Sequence, residues 1–255
     1  MADTAERFRL DEFEGFPSLV ADGVILSVDP AAGDPPFGYW TAMLPDARVH
    51  RALILGLGGG TLAHLLARRF PGVRITGIDN DAEVIAFARR HFALGAVANL
   101  TVRIADAIGY LAHCREQFDY VAVDLFHGHE FMRASLSRPF LRDVKRVASA
   151  HGEVAFNLFH DGRSTTRVSR IHRILPVVRV DRLPQNVVVH CAAQGSRVET
   201  QARETRGGWN RRKRSELLTT DTEESAMAAD ASIGSSSRPV NGYRMPAAIG
   251  MPRTL

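Results

Sequence analysis

A glycine cluster that directly follows an apolar run is the first stretch of this sequence that could do chemistry. Residues 52–61 read ALILGLGGGT, which places Gly56, Gly58 and Gly60 at alternate positions. Glycine allows the backbone angles of a tight turn and lets a ligand approach the main chain closely. The apolar spacing after Thr61 predicts a helix, whose N-terminal N–H groups carry a partial positive charge. A buried strand, a tight turn and a helix start in this order suit a nucleotide-like ligand. The alternative is a turn that only connects two elements.

Acidic residues follow three later apolar runs, at Asp79, Asp106 and Asp124. Ligands of open parallel sheets bind beyond the carboxyl ends of the strands, so these acids are expected to face the glycine turn. The spacing from Gly56 to Asp79 suits a carboxylate that accepts hydrogen bonds from ribose hydroxyls. Asp106 is expected to accept from an adenine amino group, with Ala107 beside the ring, and Asp124 to lie near the reacting end. Each aspartate could instead cap the helix that follows it.

A nicotinamide-dependent dehydrogenase is the natural competitor for this pattern. Its fingerprint is G-x-G-x-x-G/A, and here the third position is Thr61. The G-x-G-x-G spacing of Gly56, Gly58 and Gly60 fits better, and no second polar cluster suggests a hydride acceptor.

His127, His129 and Glu130 form a short polar cluster after Asp124. A metal site is one interpretation, but the spacing is short and no further ligand is evident. We therefore predict no metal, and a loop that covers the bound ligand.

Strands and helices alternate regularly from residue 49. This order predicts a mostly parallel seven-stranded sheet with helices on both faces, and an antiparallel last strand added at the edge. The predicted strands are 52–57, 73–78, 100–104, 118–124, 152–159, 177–180 and 186–191, and the predicted helices are 62–70, 82–92, 108–113, 139–149 and 165–175.

The sequence divides into three parts. Residues 1–48 form a small N-terminal segment with a predicted hairpin, because two apolar runs flank the turn signal at 21–23. The aromatic stretch 37–44 is expected to begin a helix. Residues 49–195 form the α/β domain, and 196–255 is predicted to be a mostly disordered tail because it is polar and has few clustered apolar residues.

Composition bounds the remaining possibilities. The 255 residues are 45% hydrophobic, which is enough for one sizeable core, and the formal net charge is +4. Much of the basic excess lies at 211–214, where a solvated charge run is favoured over a nucleic-acid site. Cys114 and Cys191 are far apart, so ordinary packing is expected. The absence of a long apolar span and of a signal-like N-terminus predicts a cytoplasmic protein without membrane contact.

The successive motifs resemble those of a known family. Residues 53–62, 77–79, 104–107 and 119–124 are similar to the motifs of the class I S-adenosylmethionine-dependent methyltransferases. The hairpin and the segments 37–39 and 43–45 resemble the spermidine synthase branch. The resemblance implies a Rossmann-like fold and S-adenosylmethionine, or its decarboxylated form, as the cofactor. It implies a small-molecule acceptor, such as an amine, and a possible homodimer.

The resemblance also implies roles for individual residues. The three alternate glycines would line the methionine-derived part of the cofactor, while Asp79 would hold the ribose and Asp106 the adenine. Asp124 would bind and help to deprotonate the attacking amine. Independently of the resemblance, general acid–base chemistry allows His127 or His129 to accept the proton together with Asp124.

An aromatic substrate pocket is also implied, built from Tyr39 with Trp40 and Phe126 beside it. Aromatic side chains in such positions can equally belong to the core.

Three departures from the spermidine synthase pattern bear on specificity. Gly59 stands where the family carries an acid that binds the free amine of the decarboxylated cofactor, which favours intact S-adenosylmethionine. His127 replaces a second acid, and Trp40 replaces a glutamine. Two anchors for a cationic amine are thus missing, so methyl transfer to another small molecule is the close alternative. A catalytically silent binding or oligomerisation module is the alternative from another class.

Overall fold

The computed structural model describes residues 7–21, 23–35, 38–127 and 130–194, apart from four side chains named at the end of this paragraph. In this part of the chain, twelve strands form three sheets and five α-helices pack around them. The strands are β1 Arg9–Phe13, β2 Phe16–Ala21, β3 Val24–Val28, β4 Arg51–Leu55, β5 Arg74–Asp79, β6 Leu100–Ile104, β7 Phe118–Val123, β8 Phe126–His127, β9 Glu130–Phe131, β10 Ala148–Phe159, β11 Val177–Arg182 and β12 Asn186–Ala192. The helices are α1 Thr61–Arg69, α2 Ala82–His91, α3 Ala107–His113, α4 Arg138–Val147 and α5 Ser164–His172. The side chains outside the description are those of Ala32, His127, Glu130 and Phe131.

The main sheet has seven strands in the order β11-β12-β10-β7-β4-β5-β6. The pairings from β10 through β6 are all parallel, and β12 is antiparallel to both of its neighbours. The fold class predicted from the sequence is therefore confirmed. The position of the antiparallel strand was predicted wrongly, because β12 lies between β10 and β11 and not at the edge. A short connection at residues 183–185 folds β12 back along β11, which leaves β11 outermost.

Helices cover both faces of this sheet. The helices α1 and α2 bury Leu66 and Ile85 against one face, together with Ile54 of the central strand. The helices α3, α4 and α5 cover the other face, where Phe140 and Ile171 pack on Val121. Alternate residues of the central strands point into the two layers, as the pleat of a strand requires. Because both faces are covered, β4 reads as a continuous apolar run.

The predicted N-terminal hairpin is present as β2 and β3, and β1 extends it to a three-stranded antiparallel sheet. This sheet packs on α2 through Leu19, Phe87 and Phe92, and on α1 through Val28 and Leu65. The sheet therefore lies over the helices that begin at the glycine turn and after β5.

Several local predictions were wrong, among them the end of the fifth helix, which lies at His172, three residues before the predicted end. The described part of the aromatic stretch, residues 38–44, forms turns and no helix, with single bonds from the N–H of Met43 to the carbonyl of Tyr39 and from Leu44 to Thr41. The proline at position 45 disfavours a helical conformation in the residue before it, so the turn does not propagate. The fourth helix ends at Val147, two residues before the prediction, and β10 begins at once, with an irregularity in its pairing with β7 between 148 and 153.

Candidate active site

The glycine turn connects β4 to α1 and lies against the ends of two neighbouring strands. Gly56 has a φ of +87°, and a side chain there would overlap the backbone carbonyl oxygen of Asp124. The N–H groups of Gly56 and Leu57 both donate to the carbonyl of Ile78, at 2.9 and 3.1 Å. Only glycine combines this backbone angle with so close an approach, so the residue type follows from the geometry of the turn.

The N-terminal sheet holds the same turn from the other side. The Ser27 hydroxyl accepts a 2.7 Å hydrogen bond from the N–H of Gly59, and the Thr61 hydroxyl donates to the carbonyl of Val28 and accepts from its N–H. A Cβ added at Gly59 would lie 2.6 Å from the Cβ of Ser27 and 3.0 Å from the ring of Phe92. No local sequence pattern predicts this contact, because the two segments are more than 30 residues apart.

Asp79 lies at the end of β5 and binds the glycine turn directly. Its Oδ2 accepts from the N–H of Gly58 at 2.7 Å, and its Oδ1 accepts from the N–H of Asp81 at 2.9 Å. Burial raises the pKa of the Asp79 carboxyl, and these two backbone donors oppose the rise. A carboxylate can accept about four hydrogen bonds, so Asp79 keeps capacity for two more.

Asp106 is exposed and caps α3, accepting from the N–H of Gly109 at 2.7 Å. The helix-cap alternative thus applies to this residue. The cap uses Oδ2, so Oδ1 keeps its acceptor capacity. Ala107, the first residue of α3, is buried in the same core cluster as Ile78 of β5, and neither side chain is exposed.

Asp124 follows β7 and has a donor on each carboxylate oxygen. The Tyr39 hydroxyl donates to Oδ2 at 2.7 Å, and the Asn157 amide donates to Oδ1 at 2.8 Å. Burial raises the pKa of Asp124 to about 6, the two donors oppose that rise, and the charge of Asp79 adds to it. Both aspartates lie against the glycine turn, Asp79 through the N–H of Gly58 and Asp124 through its backbone beside Gly56. Burial and the Asp124 charge raise the pKa of Tyr39 well above its usual value, so the phenol stays a donor.

Asn157 and Asn186 are the residues that the sequence analysis missed. The Asn157 side chain is buried in β10, and its Oδ1 accepts a 2.9 Å hydrogen bond from the amide of Asn186, the first residue of β12. The signal for Asn157 was visible, since it is a lone amide inside the apolar run of β10. A buried amide needs partners, and the nearest strand ends supply them.

Two of the predicted aromatic pocket residues, Tyr39 and Trp40, lie side by side, with their ring centroids 4.8 Å apart. Tyr39 contacts Asp124, whereas Trp40 is 4% exposed and packs with Phe16, Val28 and Leu65 beneath the N-terminal sheet. Trp40 is therefore a core residue that packs on Tyr39, the residue bonded to Asp124, and its role in a substrate pocket stays a prediction.

Phe126 follows Asp124 after one residue and begins the short strand β8. Its ring lies edge-on against Phe159, with the centroids 4.9 Å apart. His127 pairs with Glu130 through the backbone of the short β8–β9 hairpin, and the side chains of both, like all of His129, lie outside the described part. Among the described residues, no group of His, Cys, Asp and Glu side chains has the arrangement of a metal site. None of the described helices is both long and apolar enough to traverse a bilayer.

An open groove of about 720 Å³ lies at the opposite, amino end of the sheet, lined by Arg51, Arg115, Glu116, Gln117 and Arg146. Two of its arginines are already engaged: Arg51 pairs with Glu116, and Arg146 donates to the carbonyls at the end of α3. Because parallel sheets bind ligands at the carboxyl ends of their strands, we assign the site to the glycine turn.

Comparison with known proteins agrees with this geometry. A family model described as a methyltransferase domain matches residues 52–152, which span β4 to the start of β10 and include the glycine turn, Asp79 and Asp124. The crystal structure of a probable spermidine synthase from Corynebacterium glutamicum superimposes with a TM-score of 0.64 at 17% identity, covering 94% of this chain and 95% of that one. The chain has a class I S-adenosylmethionine-dependent methyltransferase fold with spermidine synthase-like relatives.

Other structures share this methyltransferase fold. Human methyltransferase-like protein 13, in complex with SAH, superimposes with a TM-score of 0.54 at 19% identity and covers 79% of this chain and 93% of its own. A spermidine synthase in complex with the transition-state analogue AdoDATO gives a TM-score of 0.58 at 14% identity, covering 75% of this chain and 72% of its own.

Curated relatives of this methyltransferase-fold chain fall into two groups. A polyamine aminopropyltransferase from Neisseria meningitidis is 31% identical over 145 residues, which are 56% of this chain and 54% of the relative. An eEF1A lysine and N-terminal methyltransferase homolog from Drosophila melanogaster is 27% identical over 153 residues, covering 55% of this chain and 23% of the relative. The chain spans about half the length of the curated aminopropyltransferases that it matches.

Proposed function

We propose that this protein is a transferase that binds S-adenosylmethionine, or its decarboxylated form, and transfers an alkyl group to an amine acceptor. The observation that carries the proposal is the position of Asp124. Its carboxylate is held between two donors at a strand end, beside a glycine turn that also binds Asp79. Similarity to aminopropyltransferases and to a lysine methyltransferase homolog supports the same chemistry, since both names refer to transfer onto amines.

The residues at the strand ends fit an adenosyl cofactor. Asp79 keeps free acceptor capacity for the two ribose hydroxyls, and Asp106, at the end of β6, keeps an oxygen for the adenine amino group. Ala107, the proposed neighbour of the adenine ring, begins α3 directly after Asp106. The turn of Gly56, Gly58 and Gly60 would line the methionine-derived part. When bound, a sulfonium cofactor supplies a carbon that is already electrophilic.

The main task of the protein is to hold the acceptor in line with that carbon, which is a problem of positioning. An aliphatic amine has a pKa of about 10 and arrives as a cation at neutral pH. Asp124, with a pKa of about 6, is mostly ionised there and can anchor the cation. An ammonium nitrogen has no free lone pair, so the same carboxylate must accept one of its protons before the nitrogen can attack. His127 remains the proposed partner in this step.

We further propose that the site prefers the intact cofactor. Gly59 packs so closely on Ser27 and Phe92 that the acid of the spermidine synthase pattern has no room there. Without that acid, nothing at position 59 pairs with the free amine of the decarboxylated form. Methyl transfer is therefore favoured over aminopropyl transfer. The cytoplasmic location, the homodimer and the boundaries at 48 and 195 stay predictions.

Calorimetry with S-adenosylhomocysteine tests cofactor binding. The variant Asp79→Asn is expected to weaken binding at least tenfold, because the amide offers one acceptor oxygen in place of two. Asp119→Asn is the matched control. Asp119 also accepts two backbone N–H bonds, from His50 and Arg51, but it lies at the opposite end of the sheet. Equal affinity in both variants would argue against the assigned site.

A turnover measurement distinguishes the enzyme hypothesis from the hypothesis of a catalytically silent module. Release of the adenosyl thioether is measured with a panel of amines, both small diamines and lysine peptides, and with either cofactor form. The enzyme hypothesis predicts that Asp124→Asn keeps cofactor affinity and loses at least a hundredfold in rate. The silent-module hypothesis predicts that the wild-type protein releases no adenosyl thioether. Tighter binding of the decarboxylated form would reverse the proposed preference.

A further inference from the structure

The amide chain behind Asp124 extends the site to a part of the fold that no motif covers. From Asp124 the hydrogen bonds run to Asn157 on β10 and then to Asn186 on β12. The two amides are adjacent because β10 and β12 pair in antiparallel register, with Phe159 opposite Asn186. Asn157 is 2% exposed, so its polar atoms depend on these protein partners.

The direction of the hydrogen bonds in this series determines which end of the Asn157 amide faces Asp124. An amide offers a donor group on one side and an acceptor on the other. Asn186 donates its NH₂ to Oδ1 of Asn157, which turns the NH₂ of Asn157 toward the carboxylate of Asp124. If Asn157 were reversed, its oxygen would face Asp124, and two acceptors in contact repel each other. Asn186 thereby fixes the orientation of Asn157.

We propose that Asn157 and Asn186 are positioning residues that fix the orientation and the ionised state of the Asp124 carboxylate. With Oδ2 held by Tyr39 and Oδ1 by Asn157, the carboxylate cannot rotate about its χ2 angle without losing both bonds. The catalytic meaning of this arrangement rests on the function proposed above, while the arrangement itself does not.

Other groups around Asp124 also influence the protonation of its carboxylate. Asp79 on β5 contributes a like charge that favours the protonated form, and Tyr39 contributes a donor that favours the ionised form. Tyr120 precedes Asp124 on β7, and its hydroxyl is bonded to the carbonyl of Met43. The side chain of His127 lies outside the described part. Asn157 is thus one of two described donors that oppose the effect of burial.

The decisive variant is Asn186→Asp, which preserves the shape of the side chain and replaces the donor by an acceptor. We expect the introduced carboxylate to turn the Asn157 amide around, so that its oxygen faces Asp124. The proton affinity of Asp124 should then rise at least tenfold, as measured by pH titration of its ¹³C-labelled carboxyl group by NMR. Asn186→Ala, which removes the donor without adding charge, should shift the titration in the same direction by less.

Gln185→Glu is the matched control, because it adds the same charge one residue away at an exposed position outside the amide chain. Cofactor affinity, measured alongside, should be similar in all three variants, and the thermal midpoint shows that each variant is folded at the temperature of the titration. The proposal is overturned if neither Asn186 variant moves the Asp124 titration beyond the Gln185→Glu control.

Turnover measured on the same variants keeps this proposal distinct from the previous one. Asn186→Asp should lower kcat about tenfold and shift the acid limb of the pH profile upward, with cofactor affinity unchanged. If the titration shifts as expected but Asp124→Asn has normal turnover, the positioning role stands and the proposed catalytic role fails. If Asp124→Asn is inactive but the titration does not move, the positioning role fails alone.

Discussion

The phenol oxygen of Tyr39 lies 2.7 Å from carboxylate Oδ2 of Asp124, although the two residues are 85 positions apart in the sequence. The bond joins the turn that precedes β4 to the end of β7. It places a neutral donor against a partly buried carboxylate at the carboxyl edge of the sheet. Such a donor stabilises the ionised form of the acid, which is the form that an amine acceptor needs.

Removing this donor should change the pH dependence of the site. In Tyr39→Phe, Asp124 loses one of its two described donors, so its pKa should rise above about 6 and the acid limb of the rate profile should move to higher pH. The measurement is a pH–rate profile with saturating cofactor. Tyr110→Phe is the control, since that hydroxyl contacts Cys114 on α3. Coincident profiles for Tyr39→Phe and wild type would contradict the proposed role.

The raised pKa of Asp124 also predicts how stability depends on pH. The pKa is about 6 in the folded protein against a usual value of 3.8, so folding favours the protonated carboxyl. Stability from this group is present at low pH and is lost as the pH rises through about 6, by about 3 kcal/mol. Asp124→Asn should therefore unfold at higher urea than wild type at pH 8, and the difference should narrow toward pH 4.

Asp119→Asn provides the contrast for this measurement. It should lower stability at pH 8, because Asp119 accepts bonds from the N–H groups of His50 and Arg51. If Asp124→Asn unfolds at lower urea than wild type at pH 8, burial of the ionised carboxylate does not lower the free energy of unfolding, and the prediction is wrong.

The glycine turn offers a test with an internal reference. Gly56 and Gly72 have nearly the same φ, +87° and +85°, but only Gly56 has a neighbour within 4 Å of an added Cβ. Gly72→Ala should cost about 1–2 kcal/mol, which is the cost of the left-handed backbone alone. Gly56→Ala adds an overlap with the carbonyl of Asp124 and should cost at least twice as much. Urea unfolding of both variants checks this, and equal losses would mean that the turn can move away from β7.

Restoring an acid at position 59 should damage the fold. Gly59→Asp places a Cβ 2.6 Å from the Cβ of Ser27 and 3.0 Å from the ring of Phe92. Overpacking of this kind costs about 1–3 kcal/mol. Adding Ser27→Gly should recover part of the loss, because it removes the nearest contact. The thermal midpoints of the single and double variants measure the coupling, and purely additive losses would show that the two positions are independent.

The attachment of the N-terminal sheet depends on Thr61. Its hydroxyl makes two hydrogen bonds with the backbone of Val28, one as donor and one as acceptor. Thr61→Val keeps the shape and leaves two buried backbone groups without partners, at a cost of about 2 kcal/mol or more. Hydrogen exchange should increase at Val28 and the strand β3. Thr101→Val on the exposed edge strand β6 is the control and should change little.

The sequence alone was sufficient for the parallel part of the main sheet and for grouping several residues of the candidate site. The strands are recognisable in the sequence as apolar runs. The acids that follow them lie close together because parallel strands end at one edge of the sheet. Asp79, Asp124 and the glycine turn could thus be grouped without coordinates. These signals are local in the sequence, and a regular βα repeat brings the residues that carry them together in the fold.

Trp40 shows where that reasoning stops. Its neighbours in the sequence suggested a pocket, but the turn at 38–44 rotates its ring under the N-terminal sheet beside Leu65. The direction of a side chain in an irregular segment depends on what packs against it, and no periodic pattern encodes that. Ser27 is a second example, since its bond to Gly59 requires β3 to lie across the turn.

The sequence by itself determined which functional residues follow the strands and in what order: a glycine turn comes first, and acids then follow three later strands. Only the tertiary structure decided which donors hold Asp124. Tyr39 comes from an irregular turn, and Asn157 and Asn186 meet because β12 is inserted antiparallel beside β10. The physical reason is that a hydrogen bond needs about 3 Å and a direction, and both come from the pairing of distant strands.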